Sequence, residues 1–188
     1  AQMRKDDADN AATPISYGLN STLRKTSDGC IKEDVWCANG LYGSAINHIV
    51  YWLGKAAEVA ENERQVEIIN LLIEYYRTGN LHTFDQYSIE WLKEHEGRVD
   101  FINGFIEVYG DPLGLKASWE GIVHYKDLVA TRRTQTLSQN AQWFEDHSPV
   151  DPRFRKPQVV GVTANVVCAA MLGGDEYPST AIGINLPN

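Results

Sequence analysis

The chain has 188 residues, 43% of them hydrophobic and 22% charged, which is ordinary for a globular chain with one real core or for a large piece of a bigger protein. A net charge of −8 argues against nucleic acid, since phosphate contacts need clustered lysine and arginine. No apolar run reaches the roughly 20 residues of a membrane span, and the three cysteines (Cys30, Cys37, Cys168) have no metal-ligand spacing, so they are expected to be reduced.

Residues 1–14 read as a flexible lead-in, and their charged start is unlike a secretory leader. Asp28-Gly29, between Thr22-Leu23 and Ile31, predicts a small hairpin. Ile46, Ile49, Val50, Leu53, Ala57 and Ala60 fall at helical spacing, and after a break near Asn62 so do Val66, Ile69, Ile73 and Tyr76. Gly79 is placed to end the second helix as a left-handed cap. Thr83 with Gln86 forms a capping box for a third helix with a buried stripe of Phe84, Tyr87, Trp91 and Leu92, ending at Gly97. Tyr51, Trp52, Tyr75, Tyr76 and Trp91 are expected in or beside the core.

The stretch Val99 to Pro112 reads with a period of two. One face carries Val99, Phe101, Phe105, Glu107 and Tyr109, and the other Ile102, Ile106 and Val108. Apolar residues on both faces predict a strand in the middle of a sheet, stopped by Asp111-Pro112. Glu107 is the anomaly, because a carboxylate on a core face is costly unless it is paired or hydrogen-bonded. It is either a strand-end carboxylate turned to water or bridged to an arginine, or one placed to hold a cation with the Tyr109 hydroxyl beside it.

From Ser118 a long helix to about Asp146 is expected, with a polar middle around Arg132-Arg133 that reads as a solvated face. Ser148 to Pro157 is an extended linker. Gln158 to Leu172 fits a strand, a buried helix, or a strand that becomes a helix, and ends at Gly173-Gly174. Ala181 to Leu186 predicts a last short strand. Three large apolar residues in that strand, so near the final residue, point to a portion excised from a longer protein, with cut faces that invite artificial dimerisation.

The run Gly104-Phe105-Ile106-Glu107-Val108-Tyr109-Gly110-Asp111-Pro112, followed by Gly114 and Trp119-Glu120-Gly121, resembles dipeptidyl peptidase III, a family of zinc exopeptidases. Gly183-Ile184-Asn185-Leu186-Pro187-Asn188 resembles a second substrate-binding segment of the same family, in the right order and at about the right distance. The likeness is good over 99–188 and weaker before, where Ser16 to Ser21 matches mainly bacterial members.

The resemblance implies an α+β fold, mostly helical with a small mixed β-sheet, within a two-lobed metallopeptidase. Residues 15–127 would belong to the lower, substrate-binding lobe, 128–168 to a helical excursion toward the upper lobe, and 169–188 to a returning edge strand. It implies zinc in the full-length parent. This chain lacks the histidine–glutamate–x–x–glycine–histidine helix, and His95-Glu96 has no second histidine at the needed spacing, so no zinc and no catalysis are expected of the chain itself.

By the same resemblance, Glu107 and Tyr109 hold the free N-terminus of a peptide substrate, while Asn185 and Asn188 clamp its first residues. The edge strand before Pro187 offers backbone for an extended peptide. Gly110 stands where animal members usually carry arginine. The implied partners are peptides and the parent's other lobe, with no nucleic acid and no membrane, and the implied compartment is the cytoplasm. A non-catalytic helical adaptor and a free-standing peptide-binding module are the alternatives.

Overall fold

A computed structural model of the chain describes residues 18–160 and 165–177. The expected lead-in over 1–14 and the final strand over 181–186 lie outside these residues.

The chain starts with a hairpin, β1 (Ser21–Lys25) and β2 (Ile31–Val35), turning at Gly29 with φ +85°. Three helices follow: α1 (Gly43–Ala57), α2 (Glu63–Thr78) and α3 (Leu81–Lys93). Helix α2 is the core element. Its Ile68, Ile69, Leu72, Ile73, Tyr75 and Tyr76 are all buried. Asn62 accepts a hydrogen bond from the Gln65 amide at its start, and Gly79 closes it at φ +73°. Only glycine adopts that backbone freely.

Helix α3 departs from the expected capping box. The Asn80 side chain accepts from the His82 amide and starts the helix at Leu81, so Thr83 is free to be buried. Phe84 and Tyr87 are core residues and Trp91 packs against the core, but Leu92 faces out. The helix stops at Lys93, four residues before Gly97. The Glu94 carboxylate then accepts from the Glu96 and Gly97 amides and turns the chain toward the sheet. Tyr51 and Trp52 are 57% and 65% exposed rather than buried. Helix α1 is apolar on more than one face: Gly43, Ile46 and Leu53 are buried, and Ile49, Val50 and Ala57 pack against the core beside them.

The second sheet has the order β3 (Val99–Phe105), β4 (Trp119–Lys126), β5 (Val167–Gly174), all antiparallel. Among the described residues the central strand is therefore β4, not the 99–112 stretch. The residues expected to begin a long helix at Ser118 are β4 itself. Their burial alternates, with Glu120, Ile122 and His124 inward, and a register shift follows between Val123 and His124. Strand β3 stops at Phe105, although pairing continues through the Ile106 amide to the Ser118 carbonyl (3.1 Å) and the Ser118 amide to the Glu107 carbonyl (2.8 Å). Of the readings open for Gln158 to Leu172, the strand holds from Val167.

Between β4 and β5 lies an excursion of two short helices, α4 (Leu128–Gln139) and α5 (Ala141–Asp146). It opens and closes at one point, where the Asp127 amide donates to the Val166 carbonyl and Thr131 Oγ1 accepts from the Val166 amide. Thr131 is the one buried residue of α4, and α5 has none. Trp143 and Phe144 are 56% and 49% exposed, so these helices stand off the core. Arg132 and Arg133 are exposed, as their polar neighbourhood predicts. The cysteines are free, and among the described residues no helix is long and apolar enough to cross a membrane.

Candidate functional site

Two aromatic side chains and an amide join α2 to the sheet. The Tyr76 hydroxyl accepts from the Trp119 indole N–H (2.8 Å) and donates to Asn103 Oδ1. Tyr76 is fully buried, and Trp119 lies over Gly121, Gly173 and Gly174, where a Cβ at Gly174 would come within 2.0 Å of the Trp119 carbonyl oxygen. The glycines of β4 and β5 are what let a tryptophan side chain lie so close to these two strands. This clamp fixes the end of the sheet where β3 finishes and β4 begins.

Glu107 sits at that end. Its backbone is held by Ser118, and its side chain is half-buried. The chain then turns sharply. The Asp111 amide donates to the Val108 carbonyl, the Gly114 amide donates to the Asp111 carbonyl, and the Asp111 carboxylate accepts from the Leu115 and Lys116 amides. These amides hold the Asp111 carboxyl below the usual carboxylate range. Asp111 is thus a turn-former rather than a free ligand group. Tyr109 lies in the turn at 87% exposure, off the strand on which alternation had put it beside Glu107. Asn185 and Asn188 lie outside the described residues.

The structure adds a residue that had been given no role. Glu120, 4% exposed, points inward from β4 between Gly104 on β3 and Gly174 on β5. Burial above all, and then the neighbouring acidic groups of Glu176, Glu107 and Asp175, push its carboxyl up to about 8. Glu107, Asp175 and Glu176 therefore share one acidic end of the sheet with the inward-facing Glu120, and this end favours a cationic group. The signal was present as the alternation Glu120–Ile122–His124, but a helical reading of that stretch concealed it. Among the described residues no group of three histidine, cysteine, aspartate or glutamate side chains is arranged to hold a metal ion. These residues do not fit a zinc site.

Comparison with known proteins adds the family. The family model described as peptidase family M49 matches residues 13–188. The chain belongs to peptidase family M49. Dipeptidyl peptidase 3 of Homo sapiens is 26% identical over 149 residues, covering 79% of this chain and 20% of the human protein. That of Dictyostelium discoideum is 29% identical over 146 residues, 75% of this chain and 21% of the relative. Dipeptidyl peptidase III from Caldithrix abyssi superposes with a TM-score of 0.78 at 20% identity, over 99% of this chain and 34% of that one. At that identity the likeness shows the fold, which is the mostly helical α+β arrangement expected. The chain spans about a fifth of the length of the curated relatives it matches.

Proposed function

We propose that this M49 chain is the substrate-binding portion of a zinc-dependent dipeptidyl peptidase that removes dipeptides from peptide N-termini in the cytoplasm, and that it is inactive by itself. The observation that carries this reading is Glu107, a half-buried residue whose main-chain carbonyl accepts from the Ser118 amide and so fixes its place at the acidic end of the sheet. A carboxylate so placed is ready for the ammonium group of a peptide, without the cost of ordering a loop at the moment of binding.

Tyr109 is read as a second polar contact that folds in from its turn when a peptide arrives, and Asn185 and Asn188 as the clamp on the first residues. The 128–168 excursion reaches toward the upper lobe with Trp143 and Phe144 as its contact residues, while 15–127 and 169–188 stay in the lower lobe. The family's names for its members support dipeptide release. Zinc would be held by residues outside the described part of this chain, so no chemical step is assigned to it here.

The test is Glu107→Gln in the full-length peptidase that carries this chain. The amide keeps the shape and removes the charge. A charge-assisted hydrogen bond contributes about 1.5–3 kcal/mol, so kcat/KM should fall roughly ten- to hundredfold. Peptides with an acetylated amino terminus should be poor substrates of the wild type and lose little further in the variant. Unchanged rates on free and acetylated peptides would return Glu107 to a strand-end carboxylate.

A further inference from the structure

The chain carries asparagine followed by glycine twice, at Asn39-Gly40 and at Asn103-Gly104. A glycine in second place has no Cβ to block its main-chain nitrogen from the asparagine side-chain carbon, so this pair closes into a ring more readily than others. The structure treats the two copies differently. Asn103 lies inside β3, where its Oδ1 accepts from the buried Tyr76 hydroxyl, and the buried Gly104 pairs with Glu120 in the β3–β4 ladder. Closing a ring there would break both the ladder and the Tyr76 contact.

Asn39 and Gly40 are exposed, at the corner between β2 and α1. Among the described residues the Asn39 side chain has no hydrogen-bond partner. The reacting nitrogen is restrained by the bond from the Gly40 amide to the Cys37 carbonyl (2.8 Å), and a solvent-facing turn of this kind opens without unfolding the core. Glycine is required at this corner, because a Cβ at Gly40 would lie 2.1 Å from the Val35 carbonyl oxygen. The tight joint thus forces the reactive partner on the asparagine that precedes it.

We propose that Asn39 is a site of spontaneous deamidation, and that conversion there loosens the joint between the hairpin, α1 and α2. The Gly40 nitrogen gives its proton to hydroxide and bonds to the Asn39 side-chain carbon, whose bond to the side-chain nitrogen breaks and releases ammonia. Water then opens the cyclic imide. Attack at the side-chain carbonyl leaves aspartate with an ordinary main chain. Attack at the main-chain carbonyl leaves isoaspartate, in which the chain runs through the side chain and is longer by a methylene. The corner has little slack for that: the Ala38 amide donates to the Tyr76 carbonyl (2.8 Å), Asn47 Nδ2 donates to the Ala38 carbonyl (2.9 Å), and the Gly43 amide donates to the Gly40 carbonyl (3.1 Å). This inference does not depend on peptide binding by Glu107.

Peptide mapping by mass spectrometry tests it, on the 188-residue chain aged at mildly alkaline pH either folded or in urea. In urea the two asparagines should convert at similar rates, because each precedes glycine. In the folded chain Asn39 should exchange its amide for a carboxyl at least about tenfold faster than Asn103, with isoaspartate detected there by an isoaspartyl methyltransferase. Hydrogen-exchange protection of the Ala38 amide should fall as conversion proceeds. Asn39→Gln closes its larger ring far more slowly, so on ageing it should keep both its mass at position 39 and its Ala38 protection. Conversion of Asn39 in the folded chain no faster than that of Asn103 overturns the site. Undiminished Ala38 protection in converted protein, or an equal loss in aged Asn39→Gln, overturns the loosening.

Discussion

Tyr75 and Tyr76 are neighbours on α2, both buried and both tyrosines, yet removal of their hydroxyls should have opposite consequences. The Tyr76 hydroxyl joins the Trp119 indole to the Asn103 side chain. Tyr76→Phe leaves both groups without that partner in a largely closed space. Each unsatisfied buried polar group costs about 1–3 kcal/mol, and Trp119 is only half-buried and can recover water, so the total should be about 2–4 kcal/mol. The Tyr75 hydroxyl faces Asn20 but makes no well-formed hydrogen bond. Tyr75→Phe removes an unsatisfied polar atom and nothing else, so stability should stay within about 0.5 kcal/mol or rise.

Urea unfolding followed by circular dichroism measures both, with unchanged slopes showing that only stability has moved. Strands β3 and β4 hang from this clamp, so Tyr76→Phe should also lower hydrogen-exchange protection at Phe105 and Trp119 before the helices are affected. Equal losses in the two variants, or a loss under about 1 kcal/mol for Tyr76→Phe, refute the reasoning.

The Glu61 carboxylate accepts from the Val99 and Arg98 amides, and these hydrogen bonds, that of Val99 foremost, lower its pKa. Its contribution is therefore present above about pH 4.5 and lost as pH falls through the lowered value. Thermal melts should show Glu61→Gln less stable at pH 7, by about 1 kcal/mol after allowance for its exposure or roughly 2–4 °C, with the difference closing toward pH 3. Gly79→Ala puts a Cβ into a φ of +73° and within 2.3 Å of Val35 Cγ1. It should cost about 1–3 kcal/mol by urea unfolding, whereas Gly54→Ala, which meets nothing within 4 Å, should be neutral or stabilising.

The sequence alone determined the helical half of the protein. Apolar spacing over Ile46 to Ala60 and Val66 to Tyr76 requires amphipathic helices, and Gly79 can end one because helix termination by a left-handed residue is a local matter. It also carried the family, through two separated motifs. The sheet was decided by tertiary structure. Trp119 to Lys126 has apolar residues that fit a helix as well as a strand, and only pairing with β3 and β5 selects the alternation. That choice turns Glu120 inward and brings it into the neighbourhood of Glu176, 56 residues later. A neighbourhood over such a distance has no local signature: it exists because β5 returns beside β4, and no window of sequence contains both residues.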